Sequence, residues 1–320
     1  MSDVAVIGAG AWGTALALVA HRAGNNVTLW ARDADRAAKI AASRHNPRLP
    51  NAALPDEITI TNTLPSASLT LLAVPLQHMR EVVARLPDAG TLVVCAKGVE
   101  ATTLKLPLEI LAELRRGAPA CVLTGPNFAH EIAARLPAAA VVAGLDAAVR
   151  QDAITALATP EFRLYGNDDP IGAQIGGAAK NVIAIAAGAA IGAGLGENAR
   201  AALITRGLAE LIRLAEALGG RAATIAGLSG LGDLLLTCTG ASSRNYSLGF
   251  ALGQGITLAD VLAQRSSVAE GVATAPALVA RAHDAGVTLP ICDAVAELVT
   301  GRTTLSAVMS ALLARPLRDE

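Results

Sequence analysis

The chain has 320 residues, of which 52% are hydrophobic and only 2% aromatic, and it carries 26 Lys and Arg against 27 Asp and Glu. This length allows two domains of ordinary size, each with a core of Ala, Val, Leu and Ile. The formal charge of -1 excludes the broad positive field of a nucleic-acid-binding protein, so any anionic ligand must be held locally.

The first half of the chain alternates short apolar runs with helical patterns. This alternation is typical of βαβ units and predicts a mostly parallel sheet that is covered on both faces. The predicted strands are Val4 to Ile7, Val27 to Trp30, Leu69 to Val74, Leu92 to Cys95, Cys121 to Thr124 and Ala140 to Val142.

A glycine-rich turn follows the first predicted strand. Gly8, Gly10 and Gly13 form the pattern G-x-G-x-x-G, with Ala11 and Trp12 inside it, between a strand and a helix. Gly8 permits the tight turn, Gly10 lets the backbone approach a pyrophosphate, and Gly13 lets helix and strand pack closely. The pattern predicts a Rossmann-like, dinucleotide-binding N-terminal domain. A purely structural turn would explain one glycine but hardly all three.

The second predicted strand ends in Ala31-Arg32-Asp33. An acidic residue at this place binds the 2′-hydroxyl of NAD, whereas an arginine can bind the 2′-phosphate of NADP. Arg32 favours NADP(H), and Asp33 leaves room for NAD(H). Alternatively, Arg32 only pairs with Asp33 or Asp35 on the surface.

Two later strands end in polar or turn-forming residues. Lys97 follows a buried strand at the edge where open α/β sheets place their ligands, and Gly125-Pro126-Asn127 follows the next one. Both segments are candidates for substrate binding. The alternatives are an exposed lysine at a strand end and an ordinary turn.

The chain changes character at the polar cluster from Tyr165 to Pro170, which predicts a turn between domains. Beyond it strand patterns nearly disappear, and apolar residues from Arg200 to Leu218 repeat at helical spacing. We expect a dinucleotide-binding domain over residues 1–167 and an all-α domain over residues 168–320. The uncharged stretch 182–196 is shorter than the roughly 20 residues of a membrane span, so we expect a buried helix and no span.

A lysine and a carboxylate interrupt two apolar, small-residue segments of this second half. Burying an ammonium is costly unless it is paired, so Lys180 requires a partner. Asp233 is the natural one, and Thr237 lies one helical turn after it. Lys180, with Asp233 as its partner, is the candidate for proton transfer. A purely structural ion pair is the alternative.

A candidate anion site follows at Ser242-Ser243-Arg244-Asn245-Tyr246. The guanidinium fork suits a phosphate or a carboxylate. Taken alone, such a segment is more often a solvated loop.

The four cysteines, Cys95, Cys121, Cys238 and Cys292, contain no C-x-x-C pair and lie in apolar surroundings. They indicate buried thiols in a reducing compartment. The N-terminus lacks the features of a signal peptide, so we expect a cytoplasmic protein. No residue cluster has the spacing of a metal site.

Together these motifs resemble bacterial NAD(P)-dependent glycerol-3-phosphate dehydrogenases along nearly the whole chain. Further matches are Ala73-Val74-Pro75, Gln174 to Val182, Gly227 to Cys238 and Glu270-Gly271. The resemblance implies a 6-phosphogluconate dehydrogenase-like fold and the reversible reduction of dihydroxyacetone phosphate to sn-glycerol 3-phosphate with NAD(P)H. This product is the precursor of glycerophospholipids. We also expect a homodimer.

The resemblance also implies roles for individual residues. Lys180 matches the proton-transfer lysine, with Asp233 as its partner. Further substrate positions are Lys97, Gly125, Asn127, Asn181, Thr237, Ser243, Arg244 and Asn245. Cofactor positions, in addition to the three glycines, are Ala11, Trp12, Arg32, Lys97, Ala129, Arg244, Val268 and Glu270.

The chain departs from the family pattern at Asn127, where Ser or Thr is usual, and at Leu76, where a small polar residue is usual. Asn127 is therefore the weaker substrate contact. The nearest alternative functions are a 2-ketoacid or β-hydroxyacid reductase of the same fold and a non-catalytic NADP-sensing protein. The sensor would have no reason to keep Lys180, Asp233 and Arg244 together.

Overall fold

A computed structural model describes residues 2–263 and 269–313. The chain divides into two compact units: Met1–Lys97 with Leu106–Gln174, and Gly98–Lys105 with Ile175–Glu320. The division falls inside one long helix, and the short segment 98–105 groups with the second unit.

The first unit contains one eight-stranded sheet flanked by helices. Its elements in chain order are β1 (Asp3–Ile7), α1 (Ala11–Arg22), β2 (Asn26–Trp30), α2 (Ala34–Ser43), β3 (Thr59–Thr61), β4 (Leu69–Leu72), a 3₁₀ turn (Leu76–His78), α3 (Met79–Arg85), β5 (Thr91–Val94), α4 (Pro107–Leu114), β6 (Ala120–Thr124), α5 (Ala129–Ala133), β7 (Ala138–Ala143), α6 (Ala147–Leu157) and β8 (Phe162–Asn167).

The strand order is β3-β2-β1-β4-β5-β6-β7-β8. All neighbouring strands are parallel except β6 and β7, which pair antiparallel with Leu123 opposite Val142. The strands β1, β4 and β5 are buried along almost their whole length, as parallel strands covered on both faces require. The strands β2 and β3 extend the sheet on one side of β1, whereas β4 and the later strands extend it on the other side. The carboxyl ends of β1 and β4 therefore border the crevice where open α/β sheets bind ligands.

The six predicted strands correspond to β1, β2, β4, β5, β6 and β7. The interpretation of residues 165–170 as a turn is wrong for its first half, because Tyr165, Gly166 and Asn167 belong to β8. This strand and β3 lie at the two edges of the sheet. Their outward-facing residues are polar or exposed, so they lack the apolar run of a central strand.

The second unit is helical. Its elements are α7 (Pro170–Gly192, whose first residues belong to the first unit), α8 (Gly196–Ala217), α9 (Ala222–Ile225), a π-helical turn (Leu228–Gly232), α10 (Asp233–Thr239), α11 (Arg244–Gly253), α12 (Leu258–Ala263), α13 (Glu270–Asp284), α14 (Pro290–Val299) and α15 (Leu305–Leu313). The expected fold class, a mostly parallel α/β domain followed by a helical one, is confirmed.

Two helical stretches, Pro170–Gly192 and Ala222–Thr239, are long and apolar enough to cross a membrane by composition. The first is longer than the predicted apolar stretch, and 83% of its most apolar window is buried within the protein. A helix that is buried in a protein core has the same apolar composition as a helix that crosses a lipid bilayer.

Helices α7 and α11 approach each other closely through glycine. A Cβ on Gly188 would lie 2.0 Å from the Tyr246 carbonyl oxygen, and one on Gly249 would lie 2.0 Å from that of Ile185. The two backbones therefore touch, which only glycine permits. This contact fixes α11 against α7, the helix that carries Lys180 and Asn181.

Candidate active site

The glycine-rich turn of the first unit has the geometry of an anion cradle. Gly8 has φ +119°, and a Cβ on Gly13 would lie 1.8 Å from the Gly8 carbonyl oxygen. A Cβ on Gly10 would meet nothing within 4 Å, so the surface above Gly10 is open. Gly10 also precedes α1 without a capping side chain. The turn therefore fits a dinucleotide pyrophosphate, which open backbone and a helix N-terminus favour.

Arg32 and Asp33, which follow β2, have different surroundings. Asp33 caps α2 by accepting a hydrogen bond of 2.7 Å from the Arg36 backbone N–H. Arg32 is exposed and makes no ion pair with Asp33 or Asp35 in the described part of the chain. The carboxylate thus has a structural role, while the guanidinium is available to a ligand.

Lys97 and Gly125 lie together at the ends of β5 and β6. The Lys97 ammonium donates to the Gly125 carbonyl oxygen at 3.4 Å. Gly125 has φ +146°, and a Cβ there would lie 2.9 Å from the Cα of Ala140. Asn127 donates through Nδ2 to the Ala139 carbonyl oxygen at 3.1 Å. Its Oδ1 is buried without a donor among the described residues.

The second unit brings Lys180, Asp233 and Thr237 into one buried cluster. The Lys180 Nζ lies 2.5 Å from the Asp233 Oδ1 and 3.1 Å from the Thr237 Oγ1. The side chain of Asp233 is 0% exposed and that of Lys180 10%. Thr237 donates its own proton to the Asp233 backbone carbonyl at 2.6 Å, so its oxygen can only accept from lysine. The expected partner of Lys180 is present, and the ammonium is held on two sides.

The position of Asp233 follows from its local structure. It is the first residue of α10, directly after the π-helical turn Leu228–Gly232. A carboxylate at a helix N-terminus is stabilised by the helix dipole. Thr237 lies one turn further along the same face. Nearby, burial raises the pKa of the Cys238 thiol to about 12, so this thiol is neutral and is not a competing nucleophile.

Asn181 and Asn245 form a second polar pair whose donor and acceptor atoms are set by the backbone. The Gly271 N–H donates to the Asn245 side chain at 3.0 Å, so the atom that it faces is Oδ1. The Asn245 Nδ2 then donates to the Asn181 Oδ1 at 2.8 Å. Asn181 is left with its Nδ2 group to offer, which makes it a hydrogen-bond donor.

Ser243 and Arg244 begin α11. The Ser243 Oγ accepts from the Tyr246 backbone N–H at 3.2 Å and so caps the helix. Ser243 is buried, whereas Arg244, the first helical residue, is exposed. The structure therefore assigns Ser243 a capping role and combines the Arg244 guanidinium with a helix N-terminus, two features that attract an anion.

The remaining predicted cofactor residues lie at element ends. Ala11 begins α1 with Trp12 beside it, Ala129 begins α5, and Glu270 begins α13. Val268 lies outside the described residues. Leu76, one of the two departures from the family pattern, is buried and begins the 3₁₀ turn after β4.

Sequence reasoning missed two residues that contact the glycine-rich turn. The Asn46 side chain donates to the Ala9 carbonyl oxygen at 3.0 Å, and the Arg36 guanidinium donates to the same oxygen. A buried asparagine far along the chain has no spacing signal that would reveal this contact.

Comparisons with known proteins agree along the whole chain. The family described as NAD-dependent glycerol-3-phosphate dehydrogenase N-terminus matches residues 3–150, and the corresponding C-terminus matches residues 169–310. Glycerol-3-phosphate dehydrogenase [NAD(P)+] of Acidiphilium cryptum is 60% identical over 99% of this chain and 98% of its own length. The enzyme of that name from Gluconobacter oxydans is 53% identical over 98% of this chain and 97% of its own length.

A crystal structure of glycerol-3-phosphate dehydrogenase from Coxiella burnetii is 35% identical to this chain. It superposes with a TM-score of 0.93 and covers 98% of this chain and 99% of its own. Both halves of the family and full-length relatives therefore match in sequence and in fold. The chain belongs to the NAD-dependent glycerol-3-phosphate dehydrogenase family.

Proposed function

We propose that the chain catalyses the reversible reduction of dihydroxyacetone phosphate to sn-glycerol 3-phosphate and thereby supplies glycerophospholipid synthesis. Family membership supports this reaction. The observation that carries it is the buried cluster in which Asp233 and Thr237 hold the Lys180 ammonium. The 6-phosphogluconate dehydrogenase-like reductases share the dinucleotide turn, so the substrate must be tested against theirs.

In the direction of reduction, Lys180 donates a proton to the oxygen of the central carbonyl, which becomes the alcohol. The bound NADPH or NADH supplies the hydride. Asp233 keeps the lysine charged before the proton is transferred, and the Thr237 Oγ1 orients the ammonium by accepting a hydrogen bond from it. In the reverse direction the neutral amine of Lys180 accepts the alcohol proton. General acid catalysis of this kind contributes about 10²- to 10⁴-fold to the rate.

The substrate phosphate is assigned to Arg244 and the N-terminus of α11. The guanidinium offers two parallel N–H donors to a phosphate, and the first turn of the helix adds partial positive charge. Asn181 contributes an Nδ2 donor to the substrate, with Asn245 holding its orientation. Lys97, Gly125 and Asn127 are further candidate contacts, and Asn127 is the weakest because its Nδ2 is bonded to Ala139.

Residues 1–167 are assigned as the dinucleotide-binding domain and residues 168–320 as the helical substrate and catalytic domain. Gly8, Gly10 and Gly13 would hold the pyrophosphate, and Arg32 would contact a 2′-phosphate. Because Asp33 caps α2, it is less suited to a 2′-hydroxyl, and NADP(H) is favoured over NAD(H). Further proposed cofactor contacts are Ala11, Trp12, Lys97, Ala129, Arg244, Val268 and Glu270.

We further propose that the protein is a cytoplasmic homodimer without a membrane span. The four buried cysteines support a reducing compartment. The 83% burial of the most apolar window of α7 supports a core helix. Sedimentation of the purified protein tests the dimer, and fractionation of cells tests the compartment.

The decisive experiment follows the oxidation of NADPH and of NADH separately with dihydroxyacetone phosphate. We expect turnover with both and a higher kcat/KM with NADPH. A panel of 2-ketoacids and β-hydroxyacids is run alongside. Turnover of a β-hydroxyacid without activity on glycerol 3-phosphate would contradict the proposal, and dinucleotide binding without any turnover would indicate a sensor.

A further inference from the structure

The carbonyl oxygen of Ala9, inside the glycine-rich turn, is held by two side chains from outside the motif. The Asn46 Nδ2 donates to it at 3.0 Å, and the Arg36 guanidinium donates to it as well. Asn46 is 0% exposed. A fully buried carboxamide with this contact links the segment after α2 to the turn between β1 and α1.

The orientation of the Asn46 carboxamide follows from its other partners. Thr14 donates its hydroxyl proton to the Gly10 carbonyl oxygen at 2.8 Å, so its oxygen accepts from the Asn46 Nδ2 at 2.6 Å. On the other side, the Arg48 backbone N–H donates to the Asn46 Oδ1 at 3.1 Å. Both neighbours require the NH₂ group to face the turn.

Holding the Ala9 carbonyl also aims the next amide. In a planar trans peptide the C=O and the N–H point in opposite directions, and no cis peptide occurs in the described part of the chain. With its carbonyl turned towards Asn46, the Ala9–Gly10 peptide directs the Gly10 N–H away from the buried side. None of the described residues accepts a hydrogen bond from the N–H of Gly10, Ala11 or Trp12. These groups are therefore available to an anion above the turn.

We propose that Asn46, assisted by Arg36, is a positioning residue for dinucleotide binding, because it orients the Gly10 N–H towards the pyrophosphate. The inference rests on the proposed function, in which this turn holds NADPH or NADH. Since the pyrophosphate is common to both dinucleotides, Asn46 contributes equally to the binding of each. Arg32 differs in this respect, because its contact exists only with NADPH.

Asn46→Asp tests the inference with little change in volume, since it replaces the donor that faces Ala9 by an acceptor. The dissociation constants of NADPH and of NADH are measured by calorimetric titration. Both should rise by a similar factor of about 10 to 100, the value of one hydrogen bond to a charged group. The KM for dihydroxyacetone phosphate should stay unchanged. If circular dichroism shows that this variant is unfolded, Arg36→Met, at a half-buried side chain, replaces it with the same expectation.

Asn25 offers a matched control. It is also buried in the first unit, and its Nδ2 donates to the carbonyl oxygens of Ala20 and Ala156 at 2.9 and 2.8 Å. Asn25→Asp makes the same chemical change away from the glycine-rich turn. It should lower the Tm as Asn46→Asp does, but leave both dissociation constants unchanged.

Three results would overturn the inference: unchanged binding of both dinucleotides in Asn46→Asp, weakened binding of NADPH alone, or equal weakening in Asn25→Asp. The second would place Asn46 at the 2′-phosphate, and the third would reduce the effect to general destabilisation. Failure of the unaltered protein to bind either dinucleotide would instead contradict the proposed function, so the two failures are distinguishable.

Discussion

The glycine-rich turn of the first unit and the polar side chains of the second offer different atoms to their proposed ligands. In the first unit the proposed cradle consists of backbone N–H groups around Gly10, and the side chains behind it hold the backbone in place. In the second unit the proposed chemistry belongs to the side chains of Lys180, Asp233 and Arg244. Substitutions at the glycine-rich turn therefore act through volume and backbone orientation. Substitutions of these three side chains act through charge and proton transfer.

The largest expected effect tests the side-chain half of this comparison. Lys180→Met should lower kcat by about 10²- to 10⁴-fold, because the general acid is lost. The dissociation constant of NADPH should remain as it is, since the cradle is not touched. Steady-state kinetics and calorimetry measure the two quantities. A variant that keeps most of its turnover would remove Lys180 from the reaction.

Lys180→Met also leaves the Asp233 carboxylate buried without its cation, which costs about 3 to 5 kcal/mol of folding free energy. The double variant Lys180→Met with Asp233→Asn removes that charge and should recover most of the stability. It should recover none of the activity. This contrast separates the catalytic role from a purely structural ion pair.

A pair of glycine variants tests the backbone half. Gly13→Ala forces a Cβ to within 1.8 Å of the Gly8 carbonyl oxygen, and it should lower the free energy of unfolding by about 1 to 3 kcal/mol or more. Gly10 has φ -74° and open space beside it. Gly10→Ala should therefore change stability by less than about 0.5 kcal/mol, yet raise the dissociation constants of both dinucleotides.

Chemical denaturation and calorimetric titration distinguish the two variants. If Gly10→Ala binds NADPH and NADH as tightly as the unaltered protein, the pyrophosphate does not lie against this turn. The proposal that backbone N–H groups of the first unit bind the dinucleotide would then be contradicted.

Arg244→Ala should raise the KM for dihydroxyacetone phosphate by about 10- to 100-fold, because a charge-assisted hydrogen bond to phosphate is lost. Arg302→Ala is the matched control, since Arg302 is an exposed arginine of the same unit paired with Glu297. It should leave KM unchanged. Equal KM values in the two variants would place the phosphate elsewhere.

The smallest effect concerns a carboxylate of the second unit outside the proposed chemistry. Glu210 of α8 accepts hydrogen bonds from the backbone N–H groups of Ile291 and Cys292 and so caps α14. Burial raises the pKa of this carboxyl above its ordinary value of 4.5, although the two backbone donors oppose the shift. The folded state then holds the proton more tightly than the unfolded state. The associated stability is present at low pH and is lost as the pH rises through the raised pKa.

Glu210→Gln does not titrate. The free energy of unfolding of the unaltered protein, taken relative to this variant, should therefore fall as the pH rises above 4.5. Urea denaturation of both proteins at several pH values measures the difference. A difference that grows with pH would show that the backbone donors outweigh burial.

Much of the fold could be predicted from the sequence, and the exceptions are informative. The central strands can be recognised in the sequence as apolar runs because both of their faces are buried. The strands β3 and β8 do not, because β3 has three residues and β8 is largely exposed, and both lie at sheet edges. The antiparallel pairing of β6 with β7 leaves no local signal at all.

The proposed site shows the same division. The pairing of Lys180 with Asp233 could be expected, because a buried ammonium needs a counter-charge and few carboxylates lie in apolar segments. The helix-capping hydrogen bond of Ser243 and the donor role of Asn181 could not be expected. They depend on which neighbouring residues the fold brings within hydrogen-bonding distance.

The amino-acid sequence alone was enough to recognise the glycine-rich turn, because the backbone conformation of this turn depends on residues within a few positions of one another. It also determined the family, through motifs that occur in a set order. How that turn is held depends on long-range packing, since Asn46 contacts Ala9 across 37 positions of the chain. A hydrogen bond between distant residues is set by the packing of whole helices and strands, and the local spacing of residues in the sequence does not predict it.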